Sequence, residues 1–391
     1  PGAEYPPALS GMNTSPGLIV LFGSGEISPS GRKVWEAVLN RLPPSPKLAL
    51  LETPAGFELN SARVIGRVAE FLEQRLRNHR PRVVTIPARQ RGTPFSPDEP
   101  GIVEPLLTAD AIFMGPGSPS YAVRQLDQSL AWNYLVARHR LGAPLILASA
   151  ATISISYCAL PVYEIFKVGE DLHWKKGLDF FGLYGLHLVF VPHWNNAEGG
   201  AELDTSRCFM GQNRFARLTE MLPEDLTIVG LDENTALIMD PQSGECQVIG
   251  AGGVALLHTG HVHTWGERAP GMDGSGLEEI AEQRDAHVHF YQNGERFSLS
   301  EIGPFRAYHP EANLPAEVWQ RALKALEPAD VESTAEPPAA VLELAARRQA
   351  AREARSWAES DALREQMAGL GWIVKDTKEG MLIEKLPGTG D

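Results

Sequence analysis

The chain has 391 residues, 43% of them hydrophobic, a formal net charge of −14 at pH 7 and three cysteines. That length can bury a core without staples, and three scattered thiols suit a reducing cytoplasm better than a disulfide framework. The acidic balance argues against nucleic acid as a partner of the main body, and no apolar run is long enough to span a bilayer.

Residues 1–16, PGAEYPPALSGMNTSP, lack the basic start and apolar run of a signal peptide and read as a disordered leader. LIVLFGSGE (18–26) is a buried strand entering a glycine turn, and GRKVWEAVLNRL (31–42) has helical spacing. KLALLETPAG (47–56) is a strand and loop, and SARVIGRVAEFLEQRLRNH (61–79) is a helix with a polar face. RVVTIPA (82–88), AIFMGPGS (111–118) and PLILAS (144–149) are further strands, the last two separated by the helix YAVRQLDQSLAWNYLVARHR (121–140). Apolar strands alternating with helices imply an α/β fold, a mostly parallel sheet covered on both faces. Such sheets bind ligands beyond the carboxyl ends of their strands, so the turns FGSGE, MGPGSPS and LASAAT are expected to converge.

The second half changes character. HLVFVPHWNN (187–196) and LTIVGLDENTALIMD (226–240) still read as strands with loops, and from about 244 short strands suggest a small antiparallel β extension. The expected organisation is a leader at 1–16, an α/β body at 17–305 that includes the β extension, a helix and Pro/Ala/acid-rich linker at 306–340, and a tail at 341–391.

Acyl transfer needs a nucleophile, a base, a group that orients the base, and backbone donors for an oxyanion. Ser149 stands where a strand passes into a helix, the setting of a nucleophile elbow, and the amides of Ala150 and Gly117 are then candidates for the oxyanion hole. The competing explanation is that Ser149 and Ala150 are small because a helix packs closely on the sheet. His193, in a polar loop just after an apolar strand, is the candidate base. Glu164 is the candidate acid, with Asp171 its rival.

Several segments together resemble the serine peptidases that include aspartyl dipeptidase and cyanophycinase. The elbow of that family, G-x-S-A-G-A, stands here as LASAAT, with Ser149 and Ala150 matching and Leu147, Ala151 and Thr152 departing. PHWNN (192–196) resembles its P-H-aromatic segment, GPGS (115–118) its oxyanion turn, and RCFMGQNRFARL with VGLDENTALIMD resembles the cyanophycinase-like branch. The resemblance spans roughly 17–260. It implies a flavodoxin-like, class I glutamine amidotransferase-like fold and an exopeptidase or dipeptidase acting on small, Asp-containing peptides without a cofactor or metal. It also implies substrate contacts from Glu26 to an amine and from Arg207 and Arg214 to a carboxylate, with Asn195 beside the base. A homodimer stays open. The alternative is a binding protein on the same scaffold, its activity altered at the elbow.

His258, His261, His263, His287 and His289 fall on neighbouring β segments, a pattern that reads as strand histidines rather than a zinc site, with no Cys partner nearby. Cys208 lies on no elbow, and neither GPGSPS nor GAGG completes a nucleotide motif. The tail is expected to form a helical hairpin broken near Trp357 and closed by Gly369 and Gly371, then a β-hairpin around KEG. Arg347, Arg348, Arg352 and Arg355, followed by Ala358, Asp361, Leu363, Arg364, Asp376 and Thr377, resemble the carboxyl-terminal tail of cysteinyl-tRNA synthetases. That resemblance implies a docking module, the one part of the chain suited to tRNA or a protein partner.

Overall fold

The computed structural model describes residues 15–223, 225–259, 287–306, 311–327, 338–377 and 380–385. The expected leader, apart from its last two residues, and His261 and His263 lie outside the described residues. The chain divides into two compact units, 1–325 and 326–391.

In the first unit the order is β1 (Ile19–Phe22), α1 (Pro29–Leu39), β2 (Lys47–Leu51), α2 (Ser61–Arg75), β3 (Arg82–Ile86), α3 (Pro100–Val103), β4 (Ala111–Met114), α4 (Pro119–Leu126), α5 (Leu130–Arg140), β5 (Leu145–Ala148) and α6 (Ala150–Ser154). Then come β6 (Cys158–Ala159), β7 (Lys175–Lys176), β8 (Leu188–Val191), α7 (Gly211–Glu220), β9 (Thr227–Leu231), β10 (Thr235–Asp240), β11 (Glu245–Gly250), β12 (Gly253–His258), β13 (His287–Gln292), β14 (Arg296–Ser298) and α8 (Ala316–Lys324).

The main sheet has eight strands in the order β14-β11-β10-β1-β5-β4-β2-β3. From β1 outward to β3 every pairing is parallel. Side-chain alternation explains why both faces are covered. Ile19, Leu21, Leu145 and Leu147 enter one buried cluster, with Tyr134 and Leu135 of α5. Val20, Phe22, Ile146 and Ala148 enter another, with Trp35 of α1 and Val68 of α2. A strand buried on both sides must be apolar throughout, which is why these strands read as continuous runs.

The antiparallel strands differ from the expected small extension. β11 and β14 widen the main sheet beyond β10. β12 and β13 instead join β9 and β8 in a second, four-stranded sheet. Val248 and Phe297 share the main buried cluster with Val254 and Leu256, so these strands complete the core rather than append to it. Helix α8, the helix expected before the linker, likewise buries Val318, Trp319 and Ala322 in that core.

The second unit comprises α9 (Ala339–Glu353), α10 (Trp357–Gly369), β15 (Trp372–Thr377) and β16 (Gly380–Lys385). The two strands form an antiparallel hairpin. Val341, Ala345, Met367 and Trp372 are its buried centre. Of the basic run, Arg348 is buried, while Arg347 and Arg355 are exposed.

Candidate active site

The parallel register brings the strand ends together. Met114 is level with Leu147, and Phe22 with Ala148, so the turns after β1, β4 and β5 lie along one edge. Ser149 caps this edge at φ 53° and ψ −112°, between β5 and α6. A non-glycine residue in that conformation is strained by about 1–3 kcal/mol, and it is the backbone shape that lifts an elbow nucleophile clear of its neighbours. Two hydrogen bonds tie the elbow to the end of β1: Ser149 N–H donates to the Phe22 carbonyl at 3.3 Å, and Thr152 Oγ1 donates to it at 3.1 Å. Leu147 and Ala151, where the resembling family has glycines, are fully buried in the core beneath the elbow. The strained turn therefore forms with both side chains accommodated.

His193 follows β8, itself at a positive φ of 51°. Its Nε2 lies 2.9 Å from Ser149 Oγ. Its Nδ1 lies 2.8 Å from Glu233 Oε1. Glu233 belongs to the turn between β9 and β10 and also accepts from Asn196 Nδ2 at 2.9 Å. Bonding to His193, with help from Asn196, holds the Glu233 carboxyl below its ordinary value despite partial burial. A carboxylate there fixes the tautomer with a proton on Nδ1, leaving Nε2 to accept from the serine.

Three backbone devices hold the imidazole. The His193 amide donates to the Gly23 carbonyl, and the Trp194 amide to that of Leu231. Arg207, Cys208 and Phe209 all adopt left-handed backbone, and the Arg207 and Cys208 amides donate to the carbonyls of Trp194 and His193. Phe209 closes the side, its ring centroid 5.8 Å from that of His193. Gly23 comes so near the 231–232 backbone that a Cβ would lie 2.1 Å from the Asp232 carbonyl oxygen. Only glycine fits there, which makes the FGSGE turn the joint between the serine, histidine and glutamate loops.

The remaining expected residues fall out as follows. Gly117, at φ 150°, presses against Pro54 so closely that a Cβ would be 2.0 Å from its carbonyl oxygen. Ala150 is the first residue of α6, where an amide has no partner within the helix. Glu26 lies on the turn after β1. Burial pushes its carboxyl upward, and its own amide and positive charge on His193 pull the other way. Asn195 is a loop fastener, its Oδ1 accepting from the Glu233 amide at 2.8 Å.

The geometry does not bring Glu164 to the histidine. Its carboxylate is bonded to Lys175 Nζ at 2.7 Å; burial pushes the carboxyl upward, and Lys175, Ser120 and its own backbone amide together hold it below its ordinary value. Asp171 is exposed on the same segment. Glu233 could have been found from its place just past an apolar strand, in the LDENTA run already noted.

Arg207 and Arg214 are also spent elsewhere. Arg207 is buried, donates to the Trp194 carbonyl at 3.0 Å and stacks 4.0 Å over the Trp194 ring. Arg214 donates to the carbonyls of Met210 and Phe209. Neither is set as a carboxylate clamp. Burial drives the Cys208 thiol far above its ordinary value, which removes it as a nucleophile. His258 bonds Thr227 Oγ1, and no cluster of metal-ligating side chains occurs among the described residues. No helix among them is long and apolar enough to cross a membrane.

A solved peptidase from an acI-B1 Actinobacterium superposes with a TM-score of 0.53 at 20% identity, covering 73% of this chain and 98% of that one. The body has a peptidase fold. The tail is recognised separately. Residues 334–381 match the family of the cysteinyl-tRNA ligase anticodon binding domain. Cysteine–tRNA ligases from Chlamydia felis and Methanosarcina mazei are 41% and 48% identical over 54 and 50 residues, 14% and 13% of this chain. The chain spans only 11% of the length of each ligase.

Proposed function

We propose that the first unit is a serine hydrolase that cleaves small peptides, with Ser149 as nucleophile, His193 as base and Glu233 as the acid. The observation that carries this is the unbroken chain from Ser149 Oγ to His193 Nε2, and from His193 Nδ1 to Glu233, at 2.9 and 2.8 Å on a strained elbow. Either contact alone is common in protein interiors. Both together, with the serine backbone at positive φ, are what acyl transfer requires.

In the proposed reaction Ser149 Oγ attacks the scissile carbonyl as its proton passes to His193 Nε2. The Gly117 and Ala150 amides receive the oxyanion. Collapse expels the amine, which takes the proton from His193, and water then releases the acid by the same route in reverse. Glu26, on the turn after β1, is the residue we assign to a substrate ammonium, which favours peptides with a free amino terminus. The preference for Asp-containing substrates loses its support where Arg207 and Arg214 are bonded to backbone carbonyls. A fluorophosphonate probe is expected to label Ser149 and no other residue; equal labelling of wild type and Ser149→Ala would refute the assignment.

The tail supports a second, separable role. Its match to an anticodon-binding domain, together with Arg347 and Arg355 exposed on and just beyond α9, favours docking to tRNA. Binding that weakens steeply with salt and vanishes when 338–391 is removed is the expected signature. Binding that survives removal of the tail would end this reading.

A further inference from the structure

A cavity of about 530 Å³ opens between α4, the loop after β2 and the segment 163–176. Small-molecule sites have volumes of roughly 300–1,000 Å³, so it is large enough to hold a ligand. Ser149, His193, Glu233, Gly117 and Ala150 are all absent from its wall, which makes it a site apart from the triad.

One part of the wall is apolar. Phe57 and Tyr121 meet at 5.2 Å between ring centroids, and Tyr163 and Val168 line the same space. Phe57 and Val168 are 47% and 72% exposed. Single exposed apolar side chains are common, but several gathered in one hollow mark a surface that gains by being covered. The Tyr121 ring is pinned, because its hydroxyl donates to the Arg89 carbonyl at 2.9 Å.

The other part is cationic. Arg124, Lys175 and Lys176 line the cavity against the one carboxylate of Glu164, in a chain whose net charge is −14. These cations are not equivalent. Lys175 is spent on Glu164 at 2.7 Å. Lys176 is 77% exposed and stands 3.8 Å from Asp127, beyond hydrogen-bond distance. The Arg124 guanidinium lies over the Tyr121 ring at 5.1 Å and has no hydrogen bond or ion pair among the described residues. Stacking occupies the face of a guanidinium and leaves the N–H groups of its edge to an acceptor. A pinned ring thus presents an uncommitted fork of donors beside an apolar hollow.

We propose that this cavity binds a small organic anion, an aryl carboxylate. Arg124 takes the carboxylate through paired N–H groups, Lys176 adds charge at the rim, and the ring lies against Phe57 and Tyr163. Both halves of the ligand follow from the wall. An anion without a ring leaves the apolar part wet. A ring without a charge leaves the Arg124 edge unpaired, and a cation meets an excess of like charge. The site goes beyond the hydrolase reading and does not depend on it.

The test is calorimetric titration of the full chain with naphthoate, with its neutral amide and with naphthylmethylammonium. Naphthoate is expected to bind saturably with a Kd below about 1 mM, at least about tenfold tighter than the amide, and the ammonium weaker still. Arg124→Met is expected to raise the naphthoate Kd about tenfold, towards that of the amide. Phe57→Ala is expected to weaken naphthoate by a similar factor through lost ring contact. Both positions are exposed, so neither change threatens the fold. Ser149→Ala is expected to leave the affinity unchanged. Equal affinity for naphthoate and its amide, no saturable binding, or unaltered binding in both Arg124→Met and Phe57→Ala would overturn the assignment. Binding lost in Ser149→Ala would put the ligand at the triad and overturn it as well.

Discussion

The body and the tail of this chain carry their information in opposite ways. The tail is 41% identical to a tRNA ligase over 54 residues, yet its fold is an ordinary helical hairpin beside a β-hairpin. The body is only 20% identical to a solved peptidase, yet it assembles three loops around a serine held in a strained backbone. A proposed docking surface depends on which side chains it shows, so its sequence stays readable. A triad depends on where the backbone puts a few atoms, and many sequences can build the scaffold behind it.

The comparison can be broken most sharply at the nucleophile. Ser149→Ala is expected to lower peptide hydrolysis by on the order of 10⁶, measured as kcat on a cleaved substrate. Glu233→Gln should cost on the order of 10⁴, since it removes the charge that fixes the His193 tautomer. A loss confined to Glu164→Gln would instead return the acid to the sequence-based choice.

The strain itself can be measured. Ser149→Gly is expected to be more stable than Ser149→Ala by about 1 kcal/mol in denaturant unfolding, because glycine tolerates φ 53°. Equal stability would mean that the elbow stores no strain. Removal of residues 338–391 is expected to leave the rate of Ser149 labelling unchanged while abolishing salt-sensitive tRNA binding, which would separate the two halves functionally.

The smallest effect concerns the Glu164–Lys175 ion pair, whose carboxylate was the sequence-based candidate for the partner of His193. Glu164 has a folded pKa below its unfolded value, so its pairing contributes stability that is present above the ordinary carboxylate range and lost as pH falls through the folded pKa. Lys175→Met is therefore expected to destabilise by under about 1 kcal/mol at neutral pH, since Lys175 is 40% exposed and screened. The difference should shrink as the pH falls below the ordinary carboxylate range. A constant difference across that range would show that the loss is one of packing.

Much of this was legible in advance, and the misses have physical causes. The strand runs from Ile19 to Ala148 announced a parallel sheet, because strands buried on both faces must be apolar throughout. Ser149, His193 and the GPGS turn were visible because each follows such a strand. Glu233 was not singled out as the partner of His193, since LDENTA offers two carboxylates and only the folded turn between β9 and β10 decides which one faces the imidazole. In the structure Asp232 turns away to accept from the Gly253 amide at 2.9 Å. Arg207 and Arg214 looked free because sequence cannot show that carbonyls in left-handed or helical turns already claim them. The strands after 244 looked like an appendage because β9 and β10, with which β12 and β11 pair, come from earlier in the chain.

The most direct measurement is the second-order rate of fluorophosphonate labelling at Ser149 in wild type, Glu233→Gln and Glu164→Gln. Labelling at Ser149 that falls by orders of magnitude in Glu233→Gln, and by less than about tenfold in Glu164→Gln, is expected if Glu233 orients His193. Wild-type labelling in Glu233→Gln, or none at Ser149 in the unaltered protein, would contradict the Ser149–His193–Glu233 assignment.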